Sequence, residues 1–289
     1  MSGTIDLPIL VLGATGIMGR GVIAAALDAR RPVIAVADDP RELHTLATGH
    51  SGADVTTVAG SLHTDAAGAE LAAAVRALHR PLIGGVAALS SAPARGRLLE
   101  HPAESLQRQL DHDLLPHLVA ARHLLPLLAA GNRGGSYVLI GGPGSELPWA
   151  GYGHRSIAAA AQRMLARVLH DEAHSLAVRV QLLAVDLPVT GECRVQACPH
   201  WPSASDVGRR ALALVERSDS DAVAGPVVAY TARPGTRLPS TSETPEPITA
   251  ADPVQASSLL PARCLLDARH LLQTLVPPRS RKPNQESSP

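Results

Sequence analysis

The sequence contains no phenylalanine, and aromatic residues make up only 2% of its 289 positions. Its core must therefore be built from Leu, Val, Ile and Ala, whose modest volumes fill space only where elements pack closely. Lysine is as scarce. The single copy, Lys282, lies near the C-terminal end, so chemistry in the body of the chain has no lysine ammonium to draw on. An excess of either charge is missing too. Basic and acidic residues number 26 each, without the cationic surplus by which nucleic-acid binders neutralise phosphates. Three cysteines, Cys193, Cys198 and Cys264, are too few for a disulfide framework and fit a reducing compartment. No apolar run approaches the roughly 20 residues of a membrane span. Residues 1–8 lack the cationic start and apolar run of a secretory signal. These absences predict a soluble, cytoplasmic protein without nucleic-acid or membrane partners.

What the chain does have is regular alternation. Short apolar runs at 8–13, 32–37, 81–88, 136–141, 177–185 and 223–230, with a weaker one near 55–59, read as strands. Between them lie helical stretches at about 15–30, 41–48, 66–78, 103–130, 156–174 and 204–217. Continuous apolar strands alternating with helices predict a parallel sheet covered on both faces, joined by right-handed crossovers. The expected fold is a doubly wound α/β sheet, a Rossmann fold, over residues 1–230. Residues 231–258 are rich in Pro, Ser, Thr and Glu and read as a flexible linker. Leu265, Leu266, Leu271 and Leu272 offer one apolar face to a short amphipathic helix at about 259–276, followed by a disordered tail.

The first strand runs into Gly13-Ala14-Thr15-Gly16-Ile17-Met18-Gly19, and a helix follows. In this context each glycine answers a separate need. Gly13 permits the tight turn, Gly16 the close approach of a pyrophosphate, and Gly19 the packing of helix on sheet. The free N–H groups at the helix start, around Thr15, Ile17 and Met18, would bind the phosphates. Asp38 ends the second strand at the expected distance and would accept hydrogen bonds from an adenosine ribose. Such a carboxylate repels a 2′-phosphate, so NAD(H) is expected in preference to NADP(H), although Arg41 nearby offers a compensating cation.

With these residues in place, the chain resembles the short-chain dehydrogenase/reductase family over about residues 7–230. The frame continues through the strand 136–141, the helix ending His170-Asp171-Glu172, and the strand 177–185. Gly84-Gly85-Val86-Ala87 looks like the family's Asn-Asn-Ala-Gly. Val185-Asp186 stand at its Pro-Gly, and Thr190 at the Thr that reaches the nicotinamide end of the cofactor. The resemblance implies an NAD(P)-dependent oxidoreductase acting on a small carbonyl or alcohol, assembled as a homodimer or homotetramer through its two long helices. It also exposes a departure. The family's chemistry uses a Tyr, a Lys four residues later, a Ser and an Asn. Counting back from Glu172 without gaps places Arg155 at the Tyr, Ala159 at the Lys, Gly142 at the Ser and Asp113 at the Asn. A three-residue shift recovers Tyr152 and Ser145, with Ser156 where the Lys belongs. Two readings follow: an altered acid–base pair of Tyr152 and Arg155 with Ser145 orienting substrate, or a dinucleotide-binding protein without hydride-transfer machinery.

Other groups carry weaker signals. His170 and His174 stand one helical turn apart, and Cys193, Cys198 and His200 form a loose cluster, but neither supplies the ligand set of a metal site. No metal is expected. His154, between Tyr152 and Arg155, is a further candidate proton donor.

Overall fold

The apolar runs become seven strands, β1 (Ile9–Leu12), β2 (Val33–Ala37), β3 (Val55–Ala59), β4 (Gly84–Ala87), β5 (Ser136–Gly141), β6 (Arg179–Ala184) and β7 (Val227–Ala229). The helices are α1 (Ile17–Asp28), α2 (Pro40–Gly49), α3 (Asp65–Ala77), α4 (Ala103–Asp113), α5 (Leu115–Ala129), α6 (Gly153–Glu172) and α7 (Ala204–Glu216). The computed structural model describes residues 7–91, 95–130, 134–190, 201–217 and 225–230. The expected linker, helix and tail of 231–289 lie outside the described residues, as do Cys193, Cys198 and His200.

All seven strands are parallel, in the order β3-β2-β1-β4-β5-β6-β7. The doubly wound α/β architecture is thus the one expected. Alternate strand residues feed two cores. Leu10, Leu12, Ile34, Val36, Tyr137, Leu139 and Leu182 face α3, α5 and α6. Ile9, Val11, Val33, Ala35, Val138, Ile140 and Leu183 face α1, α2 and α7. Both faces being covered explains why the strands read as continuous apolar runs. The order reverses between β1 and β4, and the crevice beyond their carboxyl ends is where ligands bind in open sheets of this type.

One expected element is divided. The single helix of 103–130 breaks at Leu114, whose φ of −115° and ψ of −55° separate α4 from α5. Pro116, in the first turn of α5, is the cause: a proline ring has no N–H to give and clashes with the carbonyl four residues back. α5 tolerates it because first-turn N–H groups have no intrahelical partner.

Closure of the α1–α7 side depends on two glycines. A Cβ at Gly21 would lie 2.7 Å from the Ala204 Cβ, and one at Gly208 2.6 Å from the Gly21 carbonyl carbon. The two helices therefore meet backbone to backbone. Gly21→Ala should destabilise the protein by about 1–3 kcal/mol, the usual cost of overpacking. Gly49→Ala, at the end of α2 with nothing within 4 Å of the added methyl, should be neutral or stabilising by up to about 1 kcal/mol. Chemical denaturation of the two variants checks this, and equal effects would contradict it.

Candidate cofactor cradle and active centre

The glycine turn, Asp38, Gly142, Ser145 and Thr190 lie in segments that leave the carboxyl ends of strands, whereas Asp113 closes α4. Gly13 leaves β1 with a φ of +71°, a backbone state that favours glycine. A side chain there would also press on the Ala88 carbonyl carbon at 3.0 Å. Gly19 is buried, and its Cβ would sit 2.8 Å from the Ala14 Cα. Gly16 differs: an added Cβ would meet only the Gly13 carbonyl, at 3.4 Å. It is the N-cap of α1, no side chain caps that helix, and no acidic residue occupies its first turn. The N-terminal N–H groups, including those of exposed Ile17 and half-buried Met18, are left for an anion. Thr15 points its carbonyl back to the Arg20 guanidinium at 2.8 Å. These features fit a dinucleotide pyrophosphate.

Asp38 follows β2 and is exposed, with one carboxylate oxygen 3.2 Å from His63 Nε2. The adjacent Asp39 serves the fold instead, its carboxylate capping α2 by accepting from the Arg41 N–H at 2.8 Å. Thr190 is held at the entry to α7, its hydroxyl donating to the Pro202 carbonyl at 3.3 Å. Its N–H donates to the same carbonyl at 3.0 Å, and its own carbonyl accepts from Ala204 at 3.1 Å.

The four residues of the ungapped frame come together. Asp113, Gly142, Arg155 and Ala159 all line one cavity of about 30 Å³, with Leu89, Ser90, Ile140, Ala158 and Gln162. Both oxygens of Asp113 are engaged. It accepts from the Ser91 N–H and hydroxyl, each at 2.7 Å, and from the Gln109 amide. The Arg155 guanidinium lies over Gly142, where a Cβ would be 3.0 Å from its Nη2. It has no hydrogen bond or ion pair among the described residues. Ala159, in the lysine's place, presents only a methyl.

Tyr152 and Ser145 do not line this cavity. Tyr152 precedes α6, stacks on Trp149 with ring centroids 4.4 Å apart, and has Arg95 5.7 Å from its centroid. Ser145 donates to Asp186 at 3.5 Å and accepts from Arg163 at 3.4 Å. Arg163 and Asp186 line a separate polar cleft of about 350 Å³. Burial, and the Glu146 carboxylate beside it, push the Asp186 carboxyl up. Ser156 is buried and spent locally, accepting from the Trp149 N–H at 2.9 Å and donating to the Tyr152 carbonyl at 3.1 Å. His154 is buried edge-to-face against His101, with Nδ1 lacking a partner among the described residues. Among the described residues no three His, Cys, Asp or Glu side chains gather as metal ligands. No described helix is long and apolar enough to cross a membrane.

No protein-family model and no curated protein matches the chain. Solved structures do match it. A short-chain type dehydrogenase/reductase from Mycobacterium ulcerans aligns with a TM-score of 0.68 at 20% identity, covering 78% of this chain and 87% of that one. A short-chain dehydrogenase from Streptomyces avermitilis gives 0.63 at 19% identity, covering 78% and 88%. A short chain oxidoreductase from Pseudomonas aeruginosa PAO1 containing an atypical catalytic center gives 0.68 at 15% identity, covering 81% and 98%. The chain thus has the fold of the short-chain dehydrogenases/reductases.

Two residues at the cavity, Gln162 in its lining and His117 bonded to Gln162, are not singled out by the sequence. His117 is wholly buried, its Nε2 2.8 Å from the Gln162 amide nitrogen and 3.2 Å from the Leu89 carbonyl. Gln162 also donates to the Ile140 carbonyl, at 3.3 Å. The signal that could have found them is helical spacing: His117 falls one turn after Asp113, and Gln162 one turn after Ala159. Burial pushes the His117 imidazole down to about 4, against the opposing pull of the Leu89 carbonyl and the Asp113 carboxylate. The unfolded chain therefore takes up this proton first. Stability should rise with pH between about 4 and the ordinary histidine value near 6.5, by on the order of 3 kcal/mol from this group. His117→Leu should lose that part of the slope in denaturation curves taken from pH 7 to pH 4, and an unchanged slope would exclude the assignment.

Proposed function

We propose that the protein is an NAD(P)-dependent oxidoreductase of the short-chain dehydrogenase/reductase type, acting on a small carbonyl or alcohol through a non-standard centre. The supporting observation is spatial. The uncapped glycine turn at the β1–β4 switch point and the cavity holding Arg155 lie at the same, carboxyl edge of one sheet. Gly13, Gly16 and Gly19 shape the cradle, and the N–H groups at the start of α1 hold the pyrophosphate. Asp38 accepts from the adenosine ribose, giving preference to NAD(H), and Thr190 contacts the nicotinamide end. A bound nicotinamide supplies or takes up hydride.

The chain's own residues divide the remaining work. Arg155 donates hydrogen bonds to the substrate oxygen and stabilises the charge that develops there. Tyr152, one turn earlier, exchanges the proton. A phenol near pKa 10 needs a fixed cation to do so near neutrality, and Arg155 replaces the missing lysine as that cation. Ser145 is the substrate hydrogen-bond donor. The Pseudomonas oxidoreductase, with its atypical catalytic center, is a precedent for altered chemistry on this fold.

One observation favours a second reading. Tyr152 packs against Trp149 outside the cavity and Ala159 offers no cation, which suits a dinucleotide-binding protein without redox turnover: a sensor, a partner subunit or a catalyst of a non-redox step. Titration calorimetry with NAD and NADP, followed by turnover assays on a carbonyl and alcohol panel, separates the two. NAD should bind more tightly than NADP, and Asp38→Ala should weaken NAD while narrowing the gap. Tyr152→Phe and Arg155→Ala should each abolish turnover and leave NAD binding largely intact. Binding without turnover above the no-enzyme control would establish the second reading, and no binding of either dinucleotide would exclude both.

The assembly proposed is a homodimer or homotetramer. Leu115 and Leu118 on α5 and Ile157, Met164 and Val168 on α6 are exposed, and the spacing of the last three forms one helical stripe. Light scattering at micromolar concentration should give at least a dimer, with Met164→Glu shifting it toward monomer. A monomeric parent chain would contradict this.

A further inference from the structure

The hydrogen-bond donors and acceptors around the small cavity do not balance. Asp113, the one carboxylate among the described residues lining it, accepts from the Ser91 N–H, the Ser91 hydroxyl and the Gln109 amide and makes no ion pair with Arg155. Leu89, Ile140, Ala158 and Ala159 contribute only apolar surface. Arg155 is half-buried among them, has no acceptor among the described residues, and is left uncovered by Gly142, where any side chain would start 3.0 Å from its Nη2. A guanidinium presents five donors in a rigid planar fork, more than one carbonyl oxygen can accept, and that fork matches a carboxylate bidentately. Beside apolar walls the attraction is stronger than in water.

We propose that Arg155 is the anchor for a ligand carboxylate, and that the substrate class is a small organic acid reacting at the carbon next to it, a 2-oxo or 2-hydroxy acid. The choice of reacting carbon rests on the oxidoreductase reading; the carboxylate anchor does not. Arg155 then holds the acid by one pair of donors while its remaining N–H groups reach the neighbouring oxygen.

Calorimetry on the full chain, with and without saturating NAD, tests the anchor by using oxalate, its neutral analogue oxamide, and inorganic phosphate. Oxalate should bind at least tenfold more tightly than either of the others. Arg155→Gln should weaken oxalate at least tenfold, and Arg155→Lys should retain part of the affinity. Both variants should melt close to the parent, since the guanidinium has no partner among the described residues to lose. Gly142→Ala, which crowds the guanidinium without removing it, provides a second route and should also weaken oxalate. Oxalate that fails to bind, or binds equally well to Arg155→Gln, overturns the proposal, as does tighter binding of phosphate through Arg155. Arg155-dependent oxalate binding with no turnover of any 2-oxo or 2-hydroxy acid supports the anchor and overturns the substrate class, and only a lack of turnover across the whole carbonyl and alcohol panel removes the oxidoreductase reading.

Discussion

The seating of α1 against the turn that follows β1 sets the geometry of the whole carboxyl edge. Gly19 can lie there only because it has no side chain, since a Cβ would reach to 2.8 Å from the Ala14 Cα. Two residues on, across the helix, the device is repeated against a different neighbour, with Gly21 and Gly208 bringing α1 and α7 into backbone contact. α1 is therefore fixed from two sides by steric limits rather than by large interlocking side chains. A chain without phenylalanine has few alternatives. Among the described residues the largest fully buried side chain is Tyr137, and even this packs over a glycine, Gly85, whose Cβ would lie 3.3 Å from the ring. Tyr137 fills the role a phenylalanine would take, at the cost of a buried hydroxyl with no hydrogen-bond partner among the described residues.

The same economy bears on the candidate centre. Positions that carry a proton-transfer apparatus in the family resembled here are occupied by Asp113, Gly142, Arg155 and Ala159, yet they still line one cavity. Asp113 shows why the cavity survives the exchange. Its carboxylate ties the loop after β4 to α4 through Ser91 and Gln109, at the point where Pro116 separates α4 from α5. Behind it, His117 and Gln162 join α5 to α6 and to the strand ends. The framework is thus held by Asp113 together with His117 and Gln162 outside the set exchanged, so the other three positions can change without collapse of the space between them.

This division also marks what was legible in the sequence. The glycine turn and the strands could be read because their requirements are local: apolar runs of strand length, and glycines at a strand-to-helix junction. The close approach of Gly21 to Gly208 could not, since nothing near either residue names the other as its partner. The break in the helix of 103–130 was within reach through Pro116, but a proline suits the first turn of a helix as well as it breaks the middle of one. The choice between the ungapped frame and the shifted one had no local answer either. Tyr152 is the right residue type for proton transfer, whereas Arg155 is the residue whose position along α6 reaches the cavity, and only three-dimensional placement separates type from position.

A guanidinium at this place changes what the centre can do. It stays protonated at any working pH, so Arg155 contributes charge and direction but exchanges no proton, and charge stabilisation and proton transfer must rest on different groups. Its field is permanent. The buried imidazole behind the cavity, His117, is held neutral by burial down to about 4, so it neither cancels that field nor adds to it near neutral pH. Asp113, turned to Ser91 and Gln109, makes no hydrogen bond with the guanidinium. Before ligand arrives, water alone can compensate the exposed part of Arg155, and a group that displaces this water gains only if it accepts the same hydrogen bonds. A neutral ligand accepts some of them. An anionic one accepts them and meets the guanidinium charge directly as well, which is the physical basis for a carboxylate ligand at Arg155.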